Sequence, residues 1–106
     1  MIVSIDYDGT WSRDPRGFAL LAQSFASRGH EVIVCTGRVT GHKEVERECM
    51  PHVSAIVFAH PLTKRQACKK HGYQVDVWID DKPETVGHFE KHGAVEPRRQ
   101  TKDRLG

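Results

Sequence analysis

Val3-Ser4-Ile5-Asp6-Tyr7-Asp8-Gly9-Thr10-Trp11 sets two carboxylates one residue apart, where an apolar run gives way to a turn. Ile2, Val3 and Ile5 read as a buried strand, and in an extended chain Asp6 and Asp8 project to the same side. Like charges that close are unfavourable unless a cation or a shared proton resolves them. A solvated strand end before a Gly turn is the plain alternative. DxDGT directly after a buried strand is a rare string, however, and it marks a first candidate site.

Working outward, Asp14-Pro15 reads as an N-cap followed by proline at the first helical position. Phe18, Leu20, Leu21 and Phe25 recur behind it at helical spacing, and Gly29 closes that helix. Val32-Ile33-Val34-Cys35 is a continuous apolar run of the kind buried in a parallel sheet, ending at Thr36-Gly37-Arg38. A polar helix is expected over 41–49, stopped by Pro51, and Ala55-Ile56-Val57-Phe58-Ala59 is the third strand. Pro61-Leu62-Thr63 opens a helix running to Lys70 or His71. Val75-Asp76-Val77-Trp78-Ile79 is the fourth strand, with Asp80-Asp81-Lys82-Pro83 at its carboxyl end. From Pro83 a helix is expected to run through Val86 and Phe89 to Lys91. Ala94-Val95 offers a short fifth strand.

Strand alternating with helix argues for an α/β fold, three-layered and Rossmann-like, with a mostly parallel sheet of four to five strands. Residues 1–95 read as one domain and 96–106 as a charged tail carrying Pro97 and Arg98-Arg99. Such sheets place their active residues at the carboxyl ends of the strands. That rule gathers Asp6, Asp8, Thr36, Asp80 and Asp81 on one edge, although they are far apart in sequence.

Composition narrows the chemistry. Lys plus Arg number 16 and Asp plus Glu 14 in 106 residues, so a net charge of +2 names no nucleic-acid partner by itself. Cys35, Cys49 and Cys68 are too few and too irregularly spaced for a disulfide scaffold or a zinc knuckle. They fit a reducing cytosol, and neither an export leader nor a membrane span is evident. The seven histidines are scattered. Four carboxylates on one edge instead call for a hard cation with oxygen ligands, and Mg2+ suits them. Beside such a cation one carboxylate can act as nucleophile and a second as general acid and base. Lys64 supplies a fixed positive charge from the first turn of its helix. Arg38 offers a fork for a second phosphate or a nucleotide oxygen.

Together these residues closely resemble the haloacid dehalogenase-like superfamily. Asp6-Tyr7-Asp8-Gly9-Thr10 resembles its first motif, Val34-Cys35-Thr36-Gly37-Arg38 its second, Lys64 its third and Ile79-Asp80-Asp81 its fourth. The resemblance spans residues 1–83 and implies a phosphatase working through an aspartyl-phosphate. It implies Asp6 as nucleophile and metal ligand, and Asp8 as acid and base, its backbone carbonyl also on the metal. Thr36 and Lys64 would hold the phosphoryl group, with Thr10, Gly37 and Arg38 at the substrate. Asp81 resembles the direct metal ligand and Asp80 its outer partner. Asp at the second acidic position points to phosphohydrolases rather than dehalogenases.

The loop from Trp11 to Pro15 leaves no room for a cap domain, so the expected site is open. Thr36-Gly37-Arg38 and Asp80-Asp81 also resemble the phosphatase half of polynucleotide kinase-phosphatases. The expected substrate is thus a phosphorylated small molecule, or a nucleotide or nucleic-acid 3′ end. A homodimer is one arrangement that would shield the site. A binding module that has lost turnover and a phosphotransferase are the competing expectations.

Overall fold

The computed structural model describes residues 1–87, and within them four strands form one all-parallel sheet. These are β1 (Ile2–Ile5), β2 (Glu31–Thr36), β3 (Ala55–Phe58) and β4 (Val77–Ile79). Three helices connect them: α1 (Pro15–Ser27), α2 (Lys43–Cys49) and α3 (Lys64–Lys70). The strand order is β3-β2-β1-β4. The chain therefore moves outward from β1 through β2 to β3, then returns to the far side of β1. This α/β arrangement is compatible with a Rossmann-like fold.

Side-chain parity explains the layers, because successive strand residues face opposite sides of a sheet. Val3, Ile5, Val32 and Val34 point to one side, where they meet Ala22 of α1 and Val45 and Cys49 of α2. Ile33, Cys35 and Val57 point to the other side and pack against Ala67 and Cys68 of α3. Both faces of β2 are thus covered, which accounts for its unbroken apolar run. All three cysteines are buried free thiols, and burial pushes Cys49 up to about 12.

Helix α1 starts where Asp14 and Pro15 foretell: the Asp14 carboxylate accepts from the Gly17 backbone N–H at 3.0 Å. Three boundaries depart from the sequence reading. Helix α2 begins at Lys43 because Gly41 takes a positive φ of 84°, outside the right-handed helical region. Helix α3 begins at Lys64 because residues 59–62 form a turn, with the Leu62 N–H on the Ala59 carbonyl. Thr63 then caps the helix in a reciprocal box with Gln66. Strand β4 begins at Val77, two residues late. Asp76 donates its N–H to the Ile2 carbonyl at 2.8 Å, and its side chain accepts from the Ile2 N–H at 2.7 Å. A side chain has replaced a ladder carbonyl there.

Pro83–Thr85 form a single 3-10 turn, and Val86 is buried behind it. The expected helix from Pro83 thus stops before Val86, and Gly87 follows at a φ of 113°, outside the helical region; the stretch to Lys91, the fifth strand at Ala94-Val95 and the tail at 96–106 lie outside the described residues. Among the described residues no helix is long and apolar enough to cross a membrane.

Candidate active site

Strands β1 and β4 adjoin at the point where the strand order reverses, the position at which open α/β sheets leave a crevice. The ladder reaches the site itself, since the Asp6 N–H donates to the Ile79 carbonyl at 2.9 Å. Asp6, at the end of β1, is thereby set beside Asp80 and Asp81, at the end of β4. The chain then turns sharply: the Trp11 N–H returns to the Asp6 carbonyl and the Ser12 N–H to that of Tyr7. Trp11 is fully buried, its ring stacked at 6.2 Å on Phe18, and it anchors the turn in the core. Its indole Nε1 is buried without a hydrogen-bond partner.

Lys64 enters from the opposite layer as the first residue of α3. Its ammonium donates to Asp6 Oδ1 at 2.7 Å and to Asp80 Oδ2 at 2.6 Å, with all three side chains buried. Burial opposes its charge, but the two carboxylates prevail and hold the ammonium above its ordinary value. For Asp6 the balance tips the other way: burial pushes the carboxyl up to about 6, although Lys64 resists. The remaining Asp80 oxygen accepts the Lys82 backbone N–H at 2.9 Å, so Asp80 is held from both sides.

Asp81 occupies a different position. Thr10 links it to Asp6, its hydroxyl lying 3.3 Å from Asp6 Oδ2, while the Asp81 N–H reaches the same hydroxyl at 3.2 Å. Asp6, Asp80 and Asp81 each present an oxygen, and the three oxygens lie within 4.8 Å of one another. Gly9 makes this approach possible. A Cβ there would sit 2.4 Å from Asp81 Oδ2, and its φ of +81° is itself unsuited to other residues. An all-oxygen set of three carboxylates this close together fits a hard cation.

Asp8 stands apart from that cluster. Its two oxygens accept the Arg38 fork, Nη2 at 2.6 Å and Nε at 2.8 Å. The Arg38 hydrogen bonds hold its carboxyl below the usual carboxylate range, while partial burial opposes them. Arg38 in turn lies over the Tyr7 ring, 5.5 Å from its centroid, and against the His42 imidazole. Its backbone N–H donates to Thr36 Oγ1 at 3.2 Å. Thr36 is wholly buried, with its hydroxyl inside this turn.

A cleft of about 280 Å3 opens between these groups, lined by Asp6, Asp8, Gly37, Lys64, Asp80 and Asp81, with Lys82 and Thr85 on the β4 side. The structure thus brings together the carboxylates and the lysine singled out in the sequence, and turns Gly37 to the same space. Thr10 is buried and serves as a brace between two carboxylates. Sequence reasoning missed Lys82, Thr85, and the Tyr7 and His42 supports of Arg38. Lys82 had a visible signal, a cation directly after the acidic pair; the others become neighbours only through the fold.

No protein-family model matches the chain, and no curated protein or solved structure matches it either.

Proposed function

We propose that this chain is a Mg2+-dependent phosphomonoester hydrolase of the haloacid dehalogenase-like kind, acting through an aspartyl-phosphate on Asp6. The observation that carries the reading is the Lys64 ammonium bonded to both Asp6 and Asp80, beside a third carboxylate within ligand reach. That third carboxylate, Asp81, has no cation on it among the described residues and only the Thr10 hydroxyl as a side-chain partner.

In this reading one Asp6 oxygen attacks phosphorus, and the bond from phosphorus to the ester oxygen breaks. Asp8, protonated from solvent as the substrate enters, gives that proton to the departing alkoxide. Water then attacks phosphorus, the bond from phosphorus to the Asp6 oxygen breaks, Asp8 takes a proton from that water, and inorganic phosphate leaves with the Asp6 carboxylate restored. Lys64 keeps Asp6 oriented and neutralises charge on the transferring group. The Gly37 turn would hold phosphoryl oxygens, with the buried Thr36 hydroxyl fixing that turn from within rather than touching the substrate as the sequence suggested. Asp6, Asp81 and the Asp8 carbonyl would hold Mg2+, with Asp80 behind them. Bound there, the ion offsets the repulsion between carboxylates and an incoming phosphate. The β1–α1 connection is only the turn from Asp6 to Asp14, so the cleft stays open to substrates larger than itself.

The test is phosphate release from an aryl phosphate, with and without Mg2+, by the wild type and Asp6→Asn. Turnover should need Mg2+ and fall roughly a thousandfold or more in the variant. A rate indifferent to both would overturn the reading.

A further inference from the structure

Asp8 cannot serve a leaving group as it stands, because the Arg38 fork takes both of its oxygens. The pair is exposed, at 32% for the arginine side chain and 51% for the aspartate, and such pairs are individually weak. Arg38 is nevertheless well supported from behind, by the Tyr7 ring, the His42 imidazole and its own N–H on Thr36. It can therefore exchange one anion for another while staying next to Gly37 and Asp8, which line the cleft. Lys82 lines the opposite wall and has no carboxylate within ion-pair distance among the described residues, so a second cation faces the same opening.

We infer that Arg38 is a substrate-operated latch. Phosphomonoesters whose leaving alcohol carries a second anionic group draw the guanidinium off Asp8 and so free Asp8 to serve the ester oxygen. A substrate with only its reacting phosphate has nothing to offer the fork, and Asp8 stays engaged. A second anion matches the fork with charge-assisted hydrogen bonds equal to those it replaces, so the exchange is nearly balanced. The anion must lie near the ester oxygen, because it takes the place of the carboxylate that serves that oxygen. The inference rests on the hydrolase reading above and names the substrate class of the same site.

Glycerol 2-phosphate and 2-phosphoglycerate test it, since they share the ester position and differ in a carboxylate next to it. With Mg2+, the wild type should turn over 2-phosphoglycerate with a kcat roughly tenfold higher or more. Arg38→Gln should bring the ratio of the two rates to about one, and Arg38→Lys, which keeps the charge and loses the fork, should fall between. A second anion that merely adds a contact lowers KM alone, so a preference confined to KM overturns the latch. A wild-type ratio near one, or a preference that survives in Arg38→Gln, overturns it too. If the Gln variant does not fold, the wild-type ratio and the Lys variant decide. Wild-type enzyme that releases no phosphate from either ester or from an aryl phosphate sinks the hydrolase reading and the latch together. Aryl phosphate turnover with no discrimination between the two esters sinks the latch alone.

Discussion

The two cations of the site that hold carboxylates are of opposite character. Lys64 is sealed between Asp6 and Asp80, its side chain 7% exposed, whereas Arg38 grips Asp8 in a partly solvent-exposed pair. Donor distances are alike in both places, 2.6 to 2.7 Å against 2.6 to 2.8 Å. Distance therefore does not rank them; dielectric surroundings do. Removing one partner of a buried pair strands a charge away from water, while removing one partner of an exposed pair leaves the other solvated. The buried contact is fixed architecture, and the exposed one is available for exchange.

The widest expected separation is in stability. Lys64→Met should lower the unfolding free energy by about 3–5 kcal/mol, and Arg38→Met by no more than about 1 kcal/mol, as read from urea denaturation. Equal costs would erase the contrast. A smaller effect is expected at the point where the buried cluster meets the turn. Gly9→Ala forces a side chain into a positive φ and drives a methyl onto Asp81, for a loss of roughly 1–3 kcal/mol. It should also weaken Mg2+ binding measured by calorimetry; unchanged binding would show that Asp81 does not need that close approach.

The finest probe is pH. A carboxyl whose folded value is raised favours the fold in acid, and that contribution is lost as pH rises through about 6 for Asp6. Ionised Asp6 is what a cation binds, so Mg2+ and a proton compete for it. The rise in melting temperature on adding Mg2+ should be larger at about pH 7.5 than at about pH 5. An identical rise at both would place the ion away from Asp6.

Much of the fold was legible because the sequence signals were local. Asp14-Pro15 announced α1, and the unbroken Val32–Cys35 run announced a strand buried on both faces. Where the reading slipped, the cause was a contact from elsewhere. Asp76 looked like an ordinary position in β4 until Ile2 claimed its side chain, and Pro61 looked like a helix start until the Ala59 turn moved that start to Lys64. The candidate site divides along the same line. Asp6, Asp8, Lys64, Asp80 and Asp81 could be chosen by residue type and strand-end position, and the fold places them around one cleft. What could not be read was their partnership. No local pattern says that Lys64 takes Asp80 while Asp81 turns to Thr10, or that Tyr7 supports Arg38, since those choices depend on how α3 and the loop after β2 come to lie.

Thr10 and Asp81 are 71 positions apart, and Ile2 and Asp76 are 74 apart. The cleft is thus a product of long loop closure, and each such contact carries the entropic cost of closing a long loop. A chain emerging through β3 already carries Asp6 and Asp8 but lacks the acids that face them. The carboxylate crowding that defines this site therefore requires β4 beside β1, and the electrostatic cost of assembling it is carried by that one strand pairing.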